Sequence, residues 1–418
     1  MSAPVVALQQ RVVIVGAGQA GRWVALTLRE HGHTGPIVWF GDEAHAPYDR
    51  PPLSKAAIVG DIGMDTLALI PPAKFDELRV DFRARQRVVA IDRERRCVRT
   101  EAGDEVAYDT LFLAHGGKAR TLPGVAPHAR IATLRTIEDA LAIKRQLVDA
   151  QHVLVLGGGW IGLELAASSR KLGKRVTVLE AAPRLCIRTV PPCVSEHLLA
   201  LHRAHDVDVR LGDGVQSVAA GDDGVTVTLA SGATLRGDLL VVGIGLVAND
   251  QIAAEAGLAC SNGVLTDAHG RTSDASIFAV GDVANGLRAD GTRARIESWE
   301  NAQRQAVTAA KAALGIAHDD AAEGPPWFWS DQYDDNLQLL GVPTESMRVI
   351  ERAVPAKRQR VFFFCDGEAV RAVAAINAGR DIKIAKRWLQ QGKQPASLES
   401  LADTTIDLNK LPLKELPR

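Results

Sequence analysis

Arg11-Val12-Val13-Ile14-Val15-Gly16-Ala17-Gly18-Gln19-Ala20-Gly21 is the stretch on which the fold turns. Four of the five residues before Gly16 are Val or Ile, which suits a strand buried on both faces. A G-x-G-x-x-G turn follows, and after it RWVALTLREHG carries apolar residues at helical spacing. Strand, glycine turn and helix in this order form a dinucleotide-binding fingerprint. Gly16 makes the tight turn and Gly18 admits a pyrophosphate to the backbone. Gly21 lets the helix pack closely on its strand, with the helix's positive end toward the phosphates. The next strand, Pro36 to Phe40, ends at Gly41-Asp42, and Asp42 lies 21 residues after Gly21. That is where an acid hydrogen-bonds an adenosine ribose.

The pattern returns 141 residues later. His152 to Leu156 leads into Gly157-Gly158-Gly159-Trp160-Ile161-Gly162, then a helix, then a strand ending at Glu180, 18 residues past Gly162. Two fingerprints predict two dinucleotide sites, the alternative being an ancestral duplication with one site lost. The Glu180 carboxylate can accept from both ribose hydroxyls of NAD and would repel the 2′-phosphate of NADP. Arg184, Lys174 or Arg175 would weaken that preference by facing such a phosphate.

The chain has 418 residues, 46% hydrophobic and 24% charged, with a net charge of −1. This composition is ordinary for a globular protein and speaks against a wholesale nucleic-acid binder. The length fits about three domains. Met1 to Gln10 has no basic start and no apolar core, so no secretory signal is expected. No apolar run reaches the roughly 18 residues a membrane span needs, and a cytoplasmic location follows as the expectation. Cys97, Cys186, Cys193, Cys260 and Cys365 form no disulfide framework and no C-x-x-C. No metal site is expected.

Between the fingerprints, PYDRPPLSK (47–55) holds three prolines and reads as a rigid loop. Arg50 and Lys55 either reach the first ligand or are solvated surface cations. Residues 206–245 read as a β-meander before the chain recrosses at Gly243-Ile244-Gly245. The strand IFAV (277–280) ends in Gly281-Asp282, where Asp282 reaches a ligand hydroxyl, caps the following helix, or both. ESWENAQRQAVTAAKAAL is a helix of good formers. Gly324-Pro325-Pro326 breaks the chain before a small α+β domain with a helix from about Asp381 to Gln391. From Arg348 to Lys393, eleven Lys and Arg stand against four Asp and Glu. Such a basic region is either a solvated face or a means of steering an acidic partner.

The expected fold is α/β: two Rossmann-like dinucleotide-binding domains in the glutathione-reductase manner plus a C-terminal α+β domain. The expected division is residues 1–118 and 248–323 for the first domain, 119–247 for the second, and 324–418 for the third.

PYDRPPLSK, GGGWIGLELA, SIFAVGDVA, IESWENAQRQA and PWFWSDQY occur in this order. Together they resemble the FAD- and NADH-dependent ferredoxin reductases that serve bacterial ring-hydroxylating dioxygenases of aromatic-hydrocarbon catabolism and some haem mono-oxygenases. The resemblance implies FAD on Gly16, Gly18, Gly21, Asp42, Arg50, Lys55, Asp282, Glu297, Trp299 and Trp329. It implies NADH on Gly157, Gly159, Trp160, Ile161, Gly162, Glu164 and Glu180. Lys55 and Glu164 are implied as tuning residues beside the flavin and nicotinamide. A [2Fe-2S] ferredoxin is the implied partner; the basic region offers Lys383, Lys386 and Arg387 for its docking, and a monomer or homodimer is expected. Related disulfide reductases carry a C-x₄-C pair where this chain has RPPLSK, so disulfide reduction is not expected. The family's usual A-T-G crossover is here Ala114-His115-Gly116. His115 is then a tolerated loop residue or a contact to the adenine end of FAD. The alternatives are a rubredoxin reductase, an NADH oxidase, or an NADH-sensing protein like apoptosis-inducing factor.

Overall fold

The computed structural model of the protein describes residues 8–60, 62–288, 291–317 and 325–416. Residues 1–7 of the segment read for a targeting signal, and Gly324 of the predicted break, lie outside them. Packing divides the chain into two units. One comprises Met1–Arg50, Ile62–Lys118 and Leu246–His318; the other comprises Pro51–Asp61, Ala119–Gly245 and Asp319–Arg418.

In the first unit, the apolar run Val12–Val15 is the middle strand of a five-stranded sheet. In spatial order the strands are Ile277–Ala279, Thr110–Leu113, Val12–Val15, Ile37–Phe40 and Val80–Arg83, all parallel. Strands buried on both faces need cover on both. One face receives helices Gln19–Glu30 and Trp299–Ala313, where Val24 and Leu28 share a core with Ala306, Ala309, Ala310 and Ala313. The other face packs against an antiparallel sheet of Val88–Asp92, Cys97–Thr100 and Glu105–Ala107 and against helix Gln251–Glu255.

The second unit repeats the plan. Its parallel sheet runs Val207–Leu211, Arg175–Glu180, His152–Leu156, Leu239–Val242 and Ile131–Thr133. Here the β-meander expectation is corrected. Only Val215–Gly221, Gly224–Leu229 and Thr234–Gly237 form an antiparallel sheet. The strands on either side of them join the parallel sheet instead. Val207 and Val209 are buried while Asp208 and Arg210 are exposed, the alternation of a sheet edge. Leu239–Val242 is wholly buried, as beside a central strand.

The same unit carries a five-stranded antiparallel sheet in the order Trp327–Gln332, Asp335–Leu340, Ala369–Ile376, Gln359–Asp366 and Arg348–Val354. Helix Gly379–Gln390 closes its core through Ile382, Ala385 and Trp388, beginning two residues before the expected Asp381. Among the described residues no helix is long and apolar enough to cross a membrane, and no group of His, Cys, Asp and Glu is placed to hold a metal.

Candidate functional site: two glycine turns and a buried ion pair

The first turn gives each glycine a separate reason. Gly16 has φ +113°, and a Cβ there would lie 2.4 Å from the Ala114 carbonyl oxygen. At Gly21 a Cβ would lie 2.2 Å from the Gly16 carbonyl oxygen, which also accepts from Trp39 Nε1 at 2.9 Å. At Gly18 it would meet nothing within 4 Å, so the peptide there faces open space. In the helix that follows, Gln19 Oε1 and Nε2 and Arg22 Nε are buried with no hydrogen-bond partner among the described residues. An open glycine, a helix N-terminus and orphaned polar atoms fit a polar dinucleotide.

The Gly281-Asp282 turn abuts the same helix: a Cβ on Gly281 would lie 3.0 Å from Ala20 Cβ. Asp282 lies inside the short turn Gly281–Val283, whose N-cap position is Val280, so it does not occupy the N-cap position expected for it. Ser298 caps helix Trp299–Ala313 instead, accepting from the Asn301 N–H at 3.2 Å, a contribution of about 1 kcal/mol. Arg50 is no solvated cation. It pairs with Glu43 at 2.7 Å and interacts electrostatically with Asp282. Glu43 also accepts from Tyr48 Oη at 2.5 Å, while the neighbouring Asp42 is exposed. Trp299 Nε1 donates to Asp49 at 2.7 Å, and Glu297 pairs with Arg295 at 2.6 Å. His115 and Asn249 hold one another. The His115 ring meets the Asn249 carbonyl at 2.7 Å, and the Asn249 amide donates to the His115 carbonyl at 3.0 Å. Burial lowers the His115 pKa. Its Nδ1 is left buried and unpartnered.

The second turn copies the first. Gly157 has φ +107°, and a Cβ there would lie 2.3 Å from the Gly243 carbonyl oxygen. Gly162 would clash with the Gly157 carbonyl oxygen at 2.1 Å, and Gly159 meets nothing. Glu180 folds back on this turn, accepting from the Gly158 N–H at 2.6 Å and the Ala182 N–H at 2.8 Å. Trp160 packs on Phe328 with ring centroids 4.9 Å apart, while Ile161 is exposed. The three cations that could have met a 2′-phosphate have other partners. Arg184 donates to Val190 O and Ser195 Oγ and pairs with Glu345. Lys174 donates to Val148 O at 3.2 Å, and Arg175 to His152 Nδ1 at 2.7 Å.

Helix Trp160–Lys171, which starts at this turn, carries Glu164 one turn in. Lys55 Nζ pairs with Glu164 Oε1 at 2.9 Å, their side chains 19% and 4% exposed. Ser54 donates to Glu164 Oε2 at 2.5 Å, and Ser330 to Oε1 at 2.7 Å. Burial lifts the Glu164 pKa above the usual carboxylate range, and the Lys55 charge and the two hydroxyls oppose that lift. Ser54 and Ser330 were not singled out in the sequence. Ser330 and Gln332 alternate on the buried side of strand Trp327–Gln332, a pair of polar residues facing inward. That alternation is the signal a reader of PWFWSDQY would need.

On the same strand Trp327 and Trp329 stack, centroids 5.0 Å apart at 16°. Lys386 lies over Trp327 at 5.8 Å. Lys383 and Arg387 turn elsewhere and line a surface cavity with Arg380, Ile384 and Asn409. The five cysteines are free, and burial pushes the Cys186 and Cys193 thiols up, away from the thiolate a redox pair needs.

The chain matches the family model described as pyridine nucleotide-disulphide oxidoreductase over residues 10–306, and one described as reductase C-terminal over 327–412. It is 40% identical over 401 residues to the ferredoxin–NAD(+) reductase component of the anthranilate 1,2-dioxygenase system of Burkholderia cepacia, covering 95% of this chain and 98% of that one. Its fold matches the reductase in a covalent putidaredoxin reductase–putidaredoxin complex (TM-score 0.89, 37% identity, 96% of this chain and 97% of that one). It also matches the ferredoxin reductase of the CYP199A2 system of Rhodopseudomonas palustris (TM-score 0.90, 35% identity, 96% and 99%).

Proposed function

This chain belongs to the pyridine nucleotide-disulphide oxidoreductase family, and we propose that within it the protein is an NADH-dependent, FAD-containing ferredoxin reductase feeding a ring-hydroxylating oxygenase. The observation that carries this reading is the pair of alike glycine turns, one in each unit, in a chain with no cysteine pair in its RPPLSK loop. Two nucleotides bind, and no disulfide in that loop takes the electrons. FAD, when bound, converts the two-electron hydride of NADH into single-electron deliveries to a [2Fe-2S] ferredoxin.

The residues do the rest. Gly16, Gly18 and Gly21 hold the FAD pyrophosphate at a helix N-terminus, and Asp42 holds the adenosine ribose. Asp282 takes a ribityl hydroxyl, and Arg50, Glu297 and Trp299 fix the flavin. Gly157, Gly159 and Gly162 admit the NADH pyrophosphate, Trp160 and Ile161 border it, and Glu180 selects NADH over NADPH. Lys55 supplies a cation that favours a negatively charged reduced cofactor, and Glu164 sets its position. Trp329 lies toward the electron exit. Lys383, Lys386 and Arg387 steer the acidic ferredoxin. The enzyme works in the cytoplasm, as a monomer or homodimer.

Anaerobic NADH titration of the purified flavoprotein, followed by a panel of electron carriers, tests the reading. NADH should bleach the flavin, and a [2Fe-2S] ferredoxin should be reduced faster than oxygen or rubredoxin. Faster turnover with oxygen or rubredoxin would refute it.

A further inference from the structure

Glu164 is the end of a longer chain of buried polar groups. Ser330 Oγ donates to Glu164 Oε1 at 2.7 Å, and Gln332 Nε2 donates to Ser330 Oγ at 3.1 Å. His202 Nε2 lies 2.8 Å from Gln332 Oε1, and Tyr333 Oη 3.1 Å from His202 Nδ1. Ser330, Gln332 and His202 are at most 3% exposed.

The direction of every proton follows from the carboxylate. Ionised Glu164 can only accept, so Ser330 spends its hydroxyl proton there. Ser330 must then accept from the Gln332 amide nitrogen. The Gln332 carbonyl oxygen is left facing His202, which must carry its proton on Nε2. His202 Nδ1 becomes the acceptor for Tyr333. Four donors in a row thus point at one buried charge, and each bond polarises the next. Burial holds His202 neutral, with a pKa of about 4, as a single-proton link requires.

We infer that Gln332 and His202 are positioning residues for Glu164: with Ser330 they form a one-way hydrogen-bond relay that fixes the carboxylate's charge and orientation from the turn of the C-terminal sheet. The inference rests on the role proposed above for Glu164. It assigns work to helix Pro192–Ala204, which carries His202, and to the turn at Tyr333.

A double-mutant cycle on the FAD-loaded enzyme tests it, with flavin reduction by NADH followed in stopped flow. Gln332→Met should slow reduction about threefold to tenfold, the effect of losing one bond to a charged network, with NADH affinity unchanged. In a Glu164→Gln background the same change should cost nothing further. His202→Gln, whose amide nitrogen can take the place of Nε2, should keep the wild-type rate, whereas His202→Leu should match Gln332→Met. Nitrogen-15 NMR of the wild-type ring should show the proton on Nε2. Additive losses in the cycle, or a proton on Nδ1, would overturn the relay. Unchanged reduction in Glu164→Gln alone would instead overturn the role given to Glu164, and the ring tautomer would still decide the relay.

Discussion

The Glu180 carboxylate accepts the Gly158 N–H at 2.6 Å, so the acid that closes the second fingerprint is tied to the fingerprint's own turn. Glu180→Ala should lower kcat/KM for NADH about tenfold or more, the loss of a charge-assisted bond to ribose. The gap to NADPH should narrow through that loss and not through better use of NADPH, because Arg184, Lys174 and Arg175 are held elsewhere. Steady-state kinetics with both nucleotides decide this. An unchanged preference would remove Glu180 from its role.

The glycines of the first turn should fail in different ways. Gly21→Ala places a Cβ 2.2 Å from a carbonyl oxygen and should cost folding itself, read as insoluble protein or a lowered Tm. Gly18→Ala meets no protein atom and should fold normally, yet purify without bound flavin. Equal flavin content in Gly18→Ala and wild type would contradict the pyrophosphate assignment.

Removing one member of the Lys55–Glu164 pair should be worse than removing both. Lys55→Met leaves a buried carboxylate without its counter-ion and should cost roughly 3 kcal/mol in urea unfolding. Adding Glu164→Gln should recover most of that loss. Additive costs would mean that the pair does not act as a unit.

Charge reversal at Lys383, Lys386 and Arg387 should slow ferredoxin reduction about tenfold at low salt, with the difference closing as salt rises. Ferricyanide reduction should be unaffected. Because Lys386 lies over Trp327, its single reversal should also perturb tryptophan fluorescence, whereas Lys383→Glu should not.

His202 should make the protein acid-sensitive. Its pKa drops from 6.5 to about 4 on folding, because burial disfavours the charged ring. Below pH 6.5 the unfolded chain binds a proton that the native state refuses. Stability is therefore full above that pH and falls as pH drops toward 4, by about 1.4 kcal/mol per unit and on the order of 3 kcal/mol in all. Urea midpoints across this range should show a shallower slope for His202→Gln than for wild type.

The parallel sheets and glycine turns were legible because their signals are local: an apolar strand, fixed glycine spacing, then a helix. Ser54, Gln332 and His202 were not, because Ser54 and His202 meet partners 110 and 130 residues away. A buried histidine looks no different in sequence from an exposed one. Val207–Leu211 misled for the opposite reason. Its alternating pattern describes one exposed face correctly, but a parallel edge strand alternates just as a hairpin strand does. Arg50 and Lys55 were ambiguous cations until Glu43 and Glu164 supplied their counter-charges.

The sheet of the first unit takes its outermost strand, Ile277–Ala279, from beyond the whole inserted segment 119–245, pairing Ile277 with Leu111. During synthesis, the inserted parallel sheet has all five strands before the ribosome reaches Ile277, while the first sheet still has four. Asp282 and the helix from Trp299 emerge later still. Such distant pairing is slow to form and leaves a nascent sheet edge open. Flavin capture is therefore a late event in the life of the chain. A pulse-labelled population should acquire the fold of the inserted parallel sheet first and its yellow colour afterwards.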